Sequence, residues 1–232
     1  MSQKKILILT ASPDNEAKLR ADKEIDAIKE QLKRSRNHDE FKISFELAVN
    51  PDELIHILED EKPTIVHFCG HAKKRGLVFE KNSGEAQTVD AEALVSLFEK
   101  FKNQVKCVLL NACYTDNQAQ AINQHIQYVI GMTGQAEDTA AIKFATNFYA
   151  ALISGRSYKD AFDFGCIALD LIGIQGDLLP KFLEKGQPTS LEAASNPPTP
   201  IHYTSVINAF KEGEIVPFLG SGINLYPSSS AK

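Results

Sequence analysis

At 232 residues, with 43% hydrophobic and 24% charged side chains, the chain has an ordinary globular composition, long enough for one domain with a substantial core plus a remainder too small for a second. A net charge of -5 argues against a general nucleic-acid binder, whose phosphate contacts need clustered Lys and Arg. No apolar run approaches the roughly 20 residues that cross a bilayer, and the apolar run in "MSQKKILILTASPDNE" is too short for a secretory signal. The four cysteines, Cys69, Cys107, Cys113 and Cys166, are too sparse for a disulfide scaffold and lack CxxC pairing for zinc, so a cytoplasmic setting is expected.

Residues Ile6 to Thr10, "ILILT", form a continuous apolar run that suits a strand buried on both faces of a parallel sheet. Ala21, Ile25, Ile28 and Leu32 then recur at spacings of four, three and four, which predicts an amphipathic helix of about 20 residues. The alternation repeats with "FKISFELA" as strand, "DELIHILED" as helix and "TIVHFCG" as strand. The segment "GLVFEKNSGEAQTV" reads as a hairpin about Asn82-Ser83-Gly84. Leu94, Leu97, Phe98 and Phe101 mark another helix, and "VKCVLLNAC" and "YVIGMTG" are further buried strands. Two helices, Asp138 to Ser154 and Ser157 to Leu171, precede a short last strand near "LLPKFLEK".

This order predicts βαβ units, hence an α/β fold with a mostly parallel sheet and helices on both faces. The stretch "GQPTSLEAASNPPTP", residues 186–200, holds four prolines in the thirteen residues from Pro188 and reads as a stiff linker. The first domain is therefore expected to cover residues 1–185. Residues 201–232 read as helix, strand and glycine turn with nothing to pack on, the beginning of a further domain in a longer protein.

In such a sheet functional residues gather at the carboxyl ends of the strands. "IVHFCGH" delivers His71 past its end and "CVLLNAC" delivers Cys113 at its end. If the two strands are neighbours, an imidazole and a thiol 42 positions apart, 71 to 113, meet across the crevice, where the imidazole can help form a thiolate. His67 and Cys69 lie inside the strand on one face and read as core residues. Cys107 and Cys166 read the same way. A zinc site on "HFCGH" is disfavoured, because in a strand a spacing of four separates the two histidines by roughly 13 Å.

The stretches "IVHFCGHA", "VLLNACYT", "YVIGMTGQAEDTAAIKFATNFYAALISGRSYKDAFDFG" and "KLRADKEIDAIKEQL" together resemble a CHAT domain, a bacterial branch of the caspase-like cysteine peptidases, from residue 4 to about 185. The resemblance implies a three-layer caspase-like sandwich and a His-Cys dyad of His71 and Cys113, with the backbone amides of Ala72 and Cys113 as oxyanion hole. Such chemistry needs no metal and no organic cofactor. The family usually has glycine where this chain has Ala72. If that position requires a positive φ, alanine would lower activity and leave a non-catalytic scaffold coupling a sensor to another domain.

Relatives specific for basic residues carry an acid two positions before the cysteine, and here that position is Asn111, so a strong Arg or Lys preference is not expected. Asp138 matches the family's helix start, although a helix N-cap explains it equally well. Asn111 and Asp138 are thus candidates for the substrate pocket. The C-terminal "VPFLGSGINL" resembles the opening of a sirtuin-like NAD-binding domain, with Gly220 and Gly222 at the cofactor turn. One side of the NAD crevice is missing, so NAD binding is expected only in a complete protein. The combination implies a cytoplasmic effector protease of an antiphage or cell-suicide system, with a protein substrate and sensor partners. Read from its tail instead, the protein would be an NAD hydrolase.

Overall fold

The computed structural model describes residues 3–134, 138–174 and 180–187. The expected linker from residue 188 onward and the segment expected to be sirtuin-like, with Gly220 and Gly222, lie outside the described residues.

The first strand, β1 (Lys4–Thr10), leads through a loop into α1 (Ala21–Arg34) and then β2 (Phe41–Glu46). Helix α2 (Leu54–Glu61) and strand β3 (Ile65–Cys69) follow, then three short strands, β4 (His71–Lys73), β5 (Gly76–Glu80) and β6 (Ala86–Asp90). Helix α3 (Ala91–Phe101) precedes β7 (Cys107–Asn111), α4 (Asp116–Asn123) and β8 (Tyr128–Met132). Helices α5 (Asp138–Ile153) and α6 (Tyr158–Asp170) and strand β9 (Pro180–Glu184) complete the described elements.

The main sheet runs β2-β1-β3-β7-β8-β9. Every pairing in it is parallel except β8 with β9. A second, antiparallel sheet, β4-β5-β6, stands beside it. Side-chain alternation divides the apolar runs between two cores. Ile6, Ile8, Ile65, Cys107 and Leu109 pack against Ile25 and Ile28 of α1 and against Phe144, Phe148 and Tyr149 of α5. Leu7, Leu9, Val66, Val108 and Leu110 face the other way, against Leu54 and Leu58 of α2, Leu94 and Phe98 of α3 and Ile122 of α4. This is the three-layer caspase-like sandwich: a mostly parallel sheet with α1, α5 and α6 on one side and α2, α3 and α4 on the other.

Three details differ from the sequence reading. Helix α1 has 14 residues rather than about 20, because Arg20 is not yet helical and Ser35 is already extended. Residues 71–73, for which no strand was expected, form β4, since His71, Ala72 and Lys73 pair with Val78, Leu77 and Gly76. Helix α4 had no expectation at all, for "DNQAQAIN" buries only Gln118, Ala119 and Ile122 and its apolar signal is weak. The β4-β5-β6 sheet depends on Gly76, where an added Cβ would fall 1.8 Å from the Val89 carbonyl oxygen.

Candidate active site

Strands β3 and β7 are parallel neighbours, and their last rung pairs Cys69 with Asn111. Beyond that rung the chains part. Gly70 leads directly into His71, the first residue of β4, while Ala112 leads into Cys113. Gly70 is required at this bend, since a Cβ there would come within 2.5 Å of the Phe68 ring and 3.3 Å of the Ala11 carbonyl oxygen. His71 and Cys113 are both half-buried and line one cleft of about 580 Å³, together with Ala17, Glu24, Asn111 and Asp138.

The imidazole of His71 is oriented by the loop between β1 and α1. Its Nε2 lies 2.7 Å from the carbonyl oxygen of Ala17. A carbonyl oxygen has no proton to give, so Nε2 carries the hydrogen and donates it; in the neutral ring Nδ1 is then left with the lone pair. Glu16, adjacent to Ala17, reaches Lys73 of β4 at 2.7 Å, which ties the same loop to the strand that carries His71. The sequence named no third group beside the dyad. A backbone carbonyl has no residue type to betray it, and Ala17 sits in a loop that only the tertiary fold brings to His71.

The thiol of Cys113 is carried on a tight turn. Tyr114 adopts a left-handed backbone, φ 53°, and its N–H donates to the carbonyl of Gly134 at 3.1 Å. Thr115, fully buried, braces the turn from inside. Its hydroxyl proton is shared between the carbonyls of Leu110 at 3.1 Å and Ala112 at 3.0 Å. Its oxygen accepts the N–H of Met132 at 2.9 Å. Gln118 of α4 then donates to the Lys73 carbonyl at 3.2 Å, joining the helix after Cys113 to the strand of His71. The "YT" following "NAC" is the sequence trace of this brace, and nothing in its spacing distinguishes a bracing hydroxyl from an exposed one.

At the floor of the cleft lies a buried polar cluster. Glu24 of α1 is 2% exposed. The Cys69 thiol donates to its Oε2 at 3.0 Å, and the Asn111 amide donates to its Oε1. Asn111 also reaches the Ala141 carbonyl at 3.3 Å. His67 Nε2 stands 3.2 Å from Oε1, close enough for charge attraction though not aligned for a hydrogen bond, and the ring stacks on Tyr149 at 5.7 Å. Burial alone would push the Glu24 carboxyl up. Attraction to His67 and the hydrogen bonds from Cys69 and Asn111 outweigh it and hold the carboxyl below the usual glutamate range.

The other cysteines have the surroundings of inert thiols. Burial, reinforced by the charge of Glu24, pushes the Cys69 thiol far up. Burial does the same to Cys107. Cys166 is pushed up to about 11 by partial burial and the nearby Asp163 and Asp170. His67 and Cys69 are therefore core residues of a polar kind, Cys69 donating to Glu24 and His67 standing close to it.

Ala72 lies within β4, and the non-glycine residues with positive φ among the described residues are Ala48, Lys62 and Tyr114. Position 72 thus requires no glycine-only backbone. Asn111 reaches the cleft wall, but its amide is committed to Glu24 and the residue is 4% exposed. Asp138 lines the same cleft at the first turn of α5.

Residues 3–163 match the CHAT domain family, and the chain belongs to that family. It is 31% identical over 158 residues to a protein named "Probable protease" from Gillisia limnaea, covering 67% of this chain and 28% of that protein. It is 29% identical over 162 residues to a protein named "Roc-COR-CHAT protease" from an unknown prokaryotic organism, covering 66% of this chain and 15% of that one. The match thus spans less than a third of either relative. Among solved structures, the fold is similar to an inactive zymogen of a C11 protease from Parabacteroides distasonis, with a TM-score of 0.53 at 11% identity over 79% of this chain and 62% of that one. It is also similar to caspase-1 from Spodoptera frugiperda, with a TM-score of 0.52 at 10% identity over 79% and 86%.

Proposed function

We propose that this chain carries a cysteine endopeptidase that cleaves protein substrates with a dyad of His71 and Cys113. The observation that carries this reading is the cleft lined by both residues, with His71 Nε2 held on the Ala17 carbonyl. In this scheme the Cys113 sulfur attacks the scissile carbonyl carbon, and the thiol proton passes to His71 and on to the leaving amine. Water then hydrolyses the thioester and restores the thiol. The amides of Cys113 and Ala72 would receive the negative charge on the carbonyl oxygen in both tetrahedral stages. The two relatives named as proteases point the same way.

The scaffold reading rested on alanine at position 72, and the extended backbone there gives it no support. The biological setting we propose is a bacterial antiphage or cell-suicide system, in the cytoplasm, with sensor partners. Residues 201–232 would then open a sirtuin-like NAD-binding module, with Gly220 and Gly222 at its turn. The dyad is tested by incubating the protein with a peptide library and reading cleavage by mass spectrometry, beside Cys113→Ala and His71→Ala variants. Cleavage that survives Cys113→Ala would sink the reading.

A further inference from the structure

Glu24 stands where the two strand ends separate. Its two carboxylate oxygens divide their partners by strand: Oε2 accepts from Cys69 at the end of β3, and Oε1 accepts from Asn111 at the end of β7. Each partner lies two residues before a member of the dyad, Cys69 before His71 and Asn111 before Cys113. Cys69 and Asn111 are also the last backbone rung between these strands, so no further ladder bond joins the two chains to each other beyond it. Helix α1, which carries Glu24, follows directly on the loop whose Ala17 carbonyl orients His71.

The lowered carboxyl contributes to the folded state, yet stability alone does not call for a carboxylate at this position. A carboxylate stripped of water is costly, and a buried polar cluster often gives way to well-packed apolar residues with no loss. We propose that Glu24 is a positioning residue for the dyad: one buried carboxylate pins the ends of β3 and β7 and the start of α1, and so sets His71 against Cys113. The proposal rests on the dyad reading above. Two residues of extended chain span roughly 6.6 Å, so a shift at the clamp lies within that short reach of the imidazole and the thiol, and it adds to the restraint that β5 and the Ala17 carbonyl place on His71 and Thr115 places on the Cys113 turn.

The test uses iodoacetamide on the 232-residue chain, since its reaction needs the thiolate and no particular substrate. The sulfur of Cys113 attacks the methylene carbon, a C–S bond forms and iodide leaves; peptide mapping gives the rate at Cys113 across pH. In the wild type a component of that rate should disappear in His71→Ala, because the imidazole takes up the thiol proton and leaves an imidazolium beside the thiolate. Glu24→Gln keeps the shape but offers one acceptor oxygen where the carboxylate offers two. It should lower the His71-dependent component about tenfold, the order expected for a misplacement of less than 1 Å, in a protein that still melts cooperatively.

Cys69→Val removes one arm of the clamp without adding a polar group and should lower the same component by a smaller factor, while Cys69→Ser, which retains a donor, should restore it. This pair decides the matter if Glu24→Gln fails to fold. A wild-type pH profile in both Glu24→Gln and Cys69→Val overturns the clamp and leaves the dyad standing. Absence of any His71-dependent component in the wild type removes the dyad, and the clamp with it.

Discussion

Two histidine and cysteine pairs lie about the ends of β3 and β7, and they have opposite surroundings. His67 and Cys69 lie inside β3, where His67 is fully buried and Cys69 is 6% exposed, and both engage Glu24. His71 and Cys113 lie just past the ends of β3 and β7 and line a cleft. The residue types are the same. What separates the pairs is the last rung of the sheet: inside it, alternation sends a side chain into a core, and beyond it the chain is free to turn a side chain toward a substrate. Proximity in sequence therefore says little here, since the imidazole and the thiol that share the cleft come from the ends of different strands.

The contrast can be broken most sharply at the thiols. Cys113→Ala should reduce peptide cleavage by about a thousandfold or more, as loss of a nucleophile does, while the melting transition stays near that of the wild type because a half-buried cleft residue leaves no core cavity. Unchanged cleavage would move the chemistry to another thiol. Thr115→Val tests the turn beneath it. This change strands the Leu110 and Ala112 carbonyls and the Met132 N–H, and it should cost about 2 to 3 kcal/mol in urea unfolding. A loss of under half that would mean the turn is held by Tyr114 and Gly134 alone.

Within β3, Cys69→Ala should cost on the order of 1 to 2 kcal/mol as a small cavity beside a buried carboxylate, and Cys113 should remain the thiol that an electrophile labels. The Glu24 cluster gives the contrast a pH dependence. The carboxyl is held below its ordinary range in the folded protein. It binds a proton more readily when unfolded, and its contribution is present above the ordinary glutamate range and lost as pH falls through the lowered folded value. Urea midpoints measured from pH 7 down to 3 should therefore fall in acid, and Glu24→Gln should flatten that limb. An equally steep limb in the variant would assign acid sensitivity to other carboxylates. The smallest effect is expected at Ala72→Gly, a loss of about 0.5 to 1 kcal/mol for glycine inside a strand. A gain would show that alanine is strained there.

Much of the fold was legible because its signal is local. "ILILT", "TIVHFC" and "CVLLN" are runs that only a doubly covered strand buries, and β1, β3 and β7 fall on them. The spacing of Ile25 and Ile28 placed the buried stripe of α1. Helix α4 escaped notice because two buried apolar residues, Ala119 and Ile122, make too faint a period. Strand β4 escaped because three residues become a strand only when β5 pairs with them.

The sequence by itself determined the order of strands and helices, the two apolar faces of the sheet and the placement of His71 and Cys113 past strand ends, since periodicity and chain breaks are properties of neighbours along the chain. It could not determine which strands lie side by side. Only the tertiary structure set β3 against β7, brought the Ala17 carbonyl to His71 and sank Glu24 between Cys69 and Asn111. Those contacts join residues 54, 45 and 87 positions apart. Groups so far apart along the chain leave no periodic trace, and their meeting is fixed by how the helices cover the sheet.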